Sequence, residues 1–400
     1  MALIYCTIDP LWGSPPTAVR YLRMKNVVLI PDSFKGTMSS EEICAIMERS
    51  IKAHYPDATV TSIPVADGGE GSVDAFLQAL GGEKRTLRVQ GPYREEMEGF
   101  YGVVKETTAV VEMAACAGLP LVGDRLDPSL TTTYGVGQLI LDAAQCGAKT
   151  IIVGLGGSAT NDGGCGAAAA CGVGFFDKDG KPFVPTGATL KDVARIDVST
   201  LAPELEGVTI TTMCDIDNPY WGPTGAAHIF GPQKGADPEM VAFLNDSMKS
   251  FADIIKRDTG VDVQAIPGSG AAGGMGGGMA AFFGSELQMG IETVLDTVNF
   301  DALLSDCDLV LTGEGKIDGQ SLRGKVVIGV ARRTKVQNVP TLAIVGDIAD
   351  DVEGAYDLGV SGIFSINRLA IPFKEAKVRA PLDMEKTIDN LMRFYKRMGL

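Results

Sequence analysis

Short apolar runs alternate with longer segments of mixed polarity along most of the chain. Asn26–Pro31 (NVVLIP) is a β-branched run that stops at Asp32-Ser-Phe-Lys-Gly36. The spacing behind it predicts a helix, with Ser39 or Ser40 as cap and Glu41 and Glu42 in a first turn whose dipole favours acids. Thr59–Val65 predicts a second strand, closed by Ala66-Asp67-Gly-Gly-Glu70-Gly-Ser72 and a helix through Leu80. Further strands are predicted at Ala109–Met113, Thr150–Val153, Val208–Met213, Asp308–Thr312 and Thr341–Val345. Helices are predicted at Tyr134–Gln145, Gly166–Cys171, Met240–Arg257, Val326–Arg333 and Met384–Met398. Strands alternating with helices predict an α/β protein with largely parallel sheets. Ligands of such sheets bind beyond the carboxyl ends of the strands. Those ends hold nearly all the Gly, Asp and Glu clusters here, which points to an enzyme.

Composition narrows the class. A chain of 400 residues exceeds what one core usually serves, so two domains are expected. The formal charge of −15 argues against nucleic acid or an anionic membrane as partner, and leaves room for a local basic pocket that takes a small anion. No apolar run reaches the ~20 residues that span a bilayer. The eight cysteines show neither a C-x-x-C pair nor zinc spacing, which predicts free thiols and a cytoplasmic protein. With two histidines, His54 and His228, a histidine-centred triad or metal cage is not expected, and His54 near a helix end is expected to be exposed. Residues 1–23 carry Asp9-Pro10, Trp12-Gly13 and Pro15-Pro16 but no periodic element. They lack the features of a signal peptide and are expected to be an extension outside the fold, with Met24 as the natural start. Self-association is left open.

The strongest single pointer is Gly154-Leu-Gly-Gly-Ser-Ala-Thr-Asn-Asp-Gly-Gly164, directly after a predicted strand. Gly154–Ala159 fits G-x-G-x-x-A, and Asp177 lies where a dinucleotide fingerprint wants an acid. Glycines there let backbone N–H groups approach an anion. The loop runs on through Thr160-Asn161-Asp162 before any helix, which is too long and too polar for that fingerprint. Phosphate binding is therefore the first expectation. A dinucleotide-dependent oxidoreductase of small hydroxy acids is the alternative, and a merely structural turn a third reading. Gly319–Val326 resembles a P-loop, but Val326 stands where the Mg²⁺-binding hydroxyl belongs, leaving Arg323 and Lys325 as point charges for phosphate or as surface charges. Pro267–Gly278 is a further glycine stretch, read as a hinge, a cradle or close packing.

The acids are more telling. Asp67 with Glu70, Asp215 with Asp217, and Glu314 with Asp318 each sit in a loop after a predicted strand. Hard oxygen donors there suit Mg²⁺, which keeps several waters and bridges phosphates; a carboxylate can also accept a hydroxyl proton. Asp is equally a common turn residue, so no single acid decides. Lys35 and Lys234 are cations in glycine-rich loops, fit for a substrate carboxylate or a phosphoryl group, or simply solvated.

These segments together resemble the bacterial glycerate kinase family. The matching blocks are Pro31–Gly36, Val65–Gly71, Gly154–Gly164, Cys214–Pro219, Phe230–Gly235, Pro267–Gly274 and Thr312–Asp318, in the family's order. The resemblance implies ATP-dependent phosphorylation of D-glycerate with Mg²⁺, usually at the 2-hydroxyl. It also implies two α/β domains: a flavodoxin-like middle domain (residues 66–289) inserted into a Rossmann-like or restriction-enzyme-like domain built from residues 24–65 and 290–400. On that basis Gly154, Gly156, Gly157, Ser158, Thr160 and Asn161 are expected at the nucleotide. Asp215 and Glu314 are expected at the metal, and Asp32, Ser33, Lys35, Glu70 and Lys234 at the substrate. Asp67 or Asp162 is expected as base, with Lys35 neutralising charge in the transfer. Phosphoryl transfer needs positioning and charge stabilisation, which such a cleft supplies, and glycine hinges would let it close over ATP.

Overall fold

The computed structural model describes residues 24–65 and 68–398. Residues 1–23, Ala66 and Asp67 lie outside the described residues, and with them the expectations for the extension and for Asp67 as base.

Two sheets organise the chain. The first takes strands from both ends: Thr59–Ser62, Asn26–Pro31, Leu309–Gly313, Thr341–Val345 and Gly362–Ser365, in that spatial order and all parallel. Asn26–Pro31 is buried on both faces, as a central parallel strand requires. Val27 and Leu29 pack with Ile43 and Met47 of helix Ser40–His54 and with Met384 and Ile388 of helix Phe373–Met398. Val28 and Ile30 face the other way, towards Ile291 and Val294 of helix Gly290–Thr297 and Val326 and Val330 of helix Val326–Val336. The period of two along the strand thus builds both layers.

The second sheet lies within the middle of the chain: Glu83–Gln90, Glu96–Val104, Thr108–Glu112, Thr150–Gly154, Thr209–Met213 and Glu286–Gln288, in sequential order. Its first two pairings are antiparallel and the rest parallel. The strand order characteristic of a flavodoxin, 2-1-3-4-5, therefore belongs to the sheet built from both chain ends, not to the middle sheet where it was expected. The physical reason is the hairpin at Gly91–Glu95, which sets Glu83–Gln90 beside Glu96–Val104 as an antiparallel edge. EKRTLRVQ exposes most of its side chains, so no apolar run announced that edge. The sheets are not independent: Val28, Ile30 and Val310 of the first share one apolar cluster with Val110, Ile152 and Met213 of the second.

Local rules were obeyed closely. Ser39 caps helix Ser40–His54 in a capping box, its hydroxyl accepting from Glu42 N–H while Glu42 accepts from Ser39 N–H. His54 is not an exposed end: its ring meets Asp389 of the C-terminal helix at 2.7 Å. That helix starts at Phe373, eleven residues before the predicted Met384, because its first turns are mostly exposed and carry no apolar stripe. Strands Glu286–Gln288 and Gly362–Ser365 are short additions that periodicity did not mark. Among the described residues no helix is long and apolar enough to cross a membrane.

Candidate active site

In a 2-1-3-4-5 sheet the chain leaves in opposite directions on the two sides of the first and third strands, and a crevice opens between them. Here that point lies between Asn26–Pro31 and Leu309–Gly313. Pro31 pairs with Gly313, and Asp32 N–H donates to the Gly313 carbonyl at 2.8 Å, so Asp32 and Glu314 emerge side by side. A cavity of about 1330 Å³ opens there. One wall comes from the first sheet: Asp32, Ser33, Lys35, Glu314, Lys325 and the segment after Ser365. The other comes from the middle of the chain: Gly156–Ser158, Asp215, Phe230 and Lys234.

Glu314 stands out on the first wall. It is 7% exposed, and its Oε1 has no hydrogen-bond partner. Burial pushes its carboxyl up to about 7; Asp32 and Asp318 push the same way, while Ser321 and Lys325 draw it down. Lys325 sits at the start of helix Val326–Val336, where no side chain caps the first turn. Asp32 folds an oxygen onto Ser33 N–H at 2.6 Å. Lys35 is exposed on the cavity rim.

On the second wall the glycine loop divides its residues between packing and the cavity. A Cβ on Gly154 would meet the Gly68 carbonyl oxygen at 2.3 Å, and Gly156 N–H donates to that same oxygen at 2.9 Å. Gly154 and Gly156 thus let the 68–69 turn lie against the strand end. Gly157, at φ 75°, turns the chain so that Ser158 faces the cavity. Lys234 is 2% exposed, and its Nζ donates to Ser158 Oγ at 2.8 Å and to the Thr160 carbonyl at 2.7 Å. Burial lowers this ammonium to about 7, with Asp162 pulling it back up.

Several expected site residues are elsewhere. Gly154, Thr160, Asn161 and Asp162 are buried and do not line the cavity. Asp162 is 0% exposed, with Oδ2 accepting from Thr133 N–H (2.7 Å), the Thr133 hydroxyl (2.9 Å) and Gly166 N–H (3.2 Å), and Oδ1 from Gly164 N–H (3.1 Å). It ties the starts of helices Tyr134–Gln145 and Cys165–Ala170 together, so it is not placed to take a substrate proton. Glu70 is exposed and off the lining. Asp215 does line the cavity, where its Oδ1 accepts from Gly290 N–H at 2.7 Å at the head of helix Gly290–Thr297. Asp177 closes its own turn, accepting from Asp179 and Lys181 N–H groups, and no helix follows Ala159 until Cys165. The dinucleotide reading has no site here. Pro267–Gly278 serves packing: its helix breaks at Ala272–Gly274, and a Cβ on Gly273 would meet the Thr160 carbonyl oxygen at 2.1 Å.

Sequence reasoning did not find Lys316, Asp347 or the wall formed by Asn367, Arg368, Leu369, Ile371 and Phe373, all of which line the cavity. The apolar run Leu369-Ala-Ile-Pro-Phe373 was a usable signal, since it interrupts a polar stretch without helical or strand period.

The model of the glycerate kinase family matches residues 27–396. The chain belongs to the glycerate kinase family. It is 42% identical over 372 residues to the glycerate kinase of Bacillus cereus, covering 92% of this chain and 98% of that one. It is 44% identical over 342 residues to the glycerate 2-kinase of Escherichia coli K12, covering 85% and 90%. The crystal structure of a candidate glycerate kinase 2 from Salmonella typhimurium LT2 superposes with a TM-score of 0.82 at 39% identity, covering 93% of this chain and 98% of that one. The expected family and the α/β fold are both borne out, and the chain is a kinase. The oxidoreductase alternative falls with that finding.

Proposed function

We propose that the protein transfers the γ-phosphoryl group of ATP to a hydroxyl of D-glycerate, with Mg²⁺, and that Glu314 is the base. The observation that carries this reading is Glu314 itself: a buried carboxylate at the sheet's crevice with one oxygen unpartnered; its burial pushes the carboxyl up to about 7, in the range where a general base works best. The glycerate hydroxyl oxygen forms the new bond to phosphorus as the bond to the ADP oxygen breaks, and its proton passes to Glu314. Lys234 and Ser158 hold the glycerate carboxylate, because a buried ammonium with two neutral acceptors favours an anion beside it. Lys35 and Lys325 neutralise charge on the moving phosphoryl group.

Among the described residues no group of three or more His, Cys, Asp or Glu converges into a cage, while Asp32, Asp215 and Glu314 line the cavity. Hard oxygen donors on a cleft wall fit an ion that reaches the site on nucleotide phosphates and keeps much of its water. Asp32 and Asp215 would hold it. When bound, Mg²⁺ would supply positive charge to the phosphate oxygens as the bond between the γ-phosphorus and the ADP oxygen breaks.

The name of the Escherichia coli relative, glycerate 2-kinase, supports 2-phosphoglycerate as the product here. Free thiols at all seven described cysteines support a reducing, cytoplasmic setting. Purified protein with ATP, Mg²⁺ and D-glycerate should release ADP well above the substrate-free rate, and phosphorus NMR should show the 2-phosphate. ADP release independent of glycerate would sink the reading.

A further inference from the structure

A three-carbon acid fills a small part of a 1330 Å³ cavity, and the remaining surface is unevenly distributed. On the wall supplied by the middle of the chain, Leu155, Ala271 and Ala272 are buried against their own unit. On the opposite wall, Leu369 is 50% and Phe373 74% exposed, with Ile371 between them on the cavity lining. Large apolar side chains left in water on a concave wall mark a ligand face. The same wall carries the cations Lys316, Lys325, Arg368 and Lys377. It also carries the uncapped start of helix Val326–Val336, whose first residues Val326, Val327 and Ile328 are buried and whose first turn holds no acid. Buried N–H groups at a helix start need acceptors, and an anion supplies them. Glu314, with its unpartnered Oε1, lies on the lining within reach of Lys325's charge.

The glycine loop has less to offer a nucleotide. Gly154 and Gly156 are committed to the 68–69 turn, and Ser158 to Lys234.

We infer that the nucleotide lies on the wall built from the chain ends, with its phosphates at Lys325 and the start of helix Val326–Val336 and its heteroaromatic base against Leu369, Ile371 and Phe373. The loop Gly157–Ser158 with Lys234 is left to the small acid. This placement rests on the kinase reading above, and it reverses the expectation that Gly154–Asn161 would hold the phosphates. Flat rings bury well against exposed aliphatic and aromatic side chains, and an apolar wall beside several cations matches a molecule that is aromatic at one end and polyanionic at the other.

The test is calorimetric binding of ADP, inorganic tripolyphosphate and D-glycerate to the full-length protein and two variants. Removing the apolar contact in Leu369→Ala/Phe373→Ala should raise the Kd for ADP about tenfold and leave tripolyphosphate unmoved. Lys325→Gln should weaken ADP and tripolyphosphate alike. D-glycerate should bind all three proteins equally. Both apolar positions are solvent-exposed, so the variant keeps its fold, and an unchanged thermal midpoint checks this. An ADP Kd within twofold of the parent in the double variant would overturn the placement and assign the apolar wall to closure or to protein contact. Failure of the unaltered protein to bind any nucleotide while binding glycerate would instead overturn the kinase chemistry proposed above.

Discussion

Asp162 and Glu314 invite comparison. Each follows a parallel strand, sits among glycines and is almost fully buried. Burial raises both carboxyls, and there the likeness ends. Asp162 is surrounded by N–H and hydroxyl donors from two helix starts, which stabilise its charge and leave it nothing to do but hold them. Glu314 faces a cavity with one oxygen unpartnered and two acids nearby. A buried carboxylate can act as a base when its surroundings leave an oxygen without a donor, and is a structural pin when they fill both.

The largest effect that tests this contrast is on turnover. Glu314→Gln should lower kcat by about 10²–10⁴-fold while ADP binding, followed by calorimetry, stays within twofold. A kcat within tenfold of the parent would remove Glu314 from the base role. Asp162→Asn should do the reverse. Its amide would turn donors towards donors, costing about 2–4 kcal/mol in denaturant unfolding, with kcat of the folded protein within tenfold of the parent and the falling limb of the pH profile moved lower, since Asp162 helps keep Lys234 charged. If Asp162→Asn instead lost turnover at full stability, the two acids would have to exchange roles.

The next test uses pH. Glu314 works ionised, so kcat/KM for glycerate should rise as pH climbs through about 7. Lys234 works protonated, so the same quantity should fall as pH passes above about 7. The two limbs give a narrow bell. Glu314→Gln should abolish the rising limb and Lys234→Met the falling one, along with most glycerate affinity. A smaller effect is expected at Gly154→Ala, where the methyl would press on the Gly68 carbonyl. Overpacking of that kind costs about 1–3 kcal/mol, read as a lowered thermal midpoint. Smallest of all is Arg323→Gln: its contact with Asp217 spans 3.6 Å between two largely exposed side chains, and the thermal midpoint should not move measurably.

Much of the fold was legible because local signals were strong. NVVLIP, bounded by Asp32 and followed by Ser39 and Glu42, specified a strand, a capped helix and the loop between them. The edge strand Glu83–Gln90 was not legible, since its stability comes from cross-strand pairing with Glu96–Val104 and not from apolar residues of its own. Glycine richness at Gly154–Gly164 correctly marked a place where backbones meet. It could not say whether the visitor was a ligand or the turn at Gly68.

What the sequence determined by itself was the α/β class, the family, and the list of loops from which a site could be drawn, because periodicity, capping and turn chemistry act over a few residues. The tertiary structure alone decided which loops meet. Asp32 and Glu314 are separated by most of the chain, and they become neighbours only through the parallel pairing of Pro31 with Gly313. It also decided which acid has donors on both oxygens and which keeps one oxygen without a partner, since desolvation and hydrogen bonding depend on the residues that packing brings near.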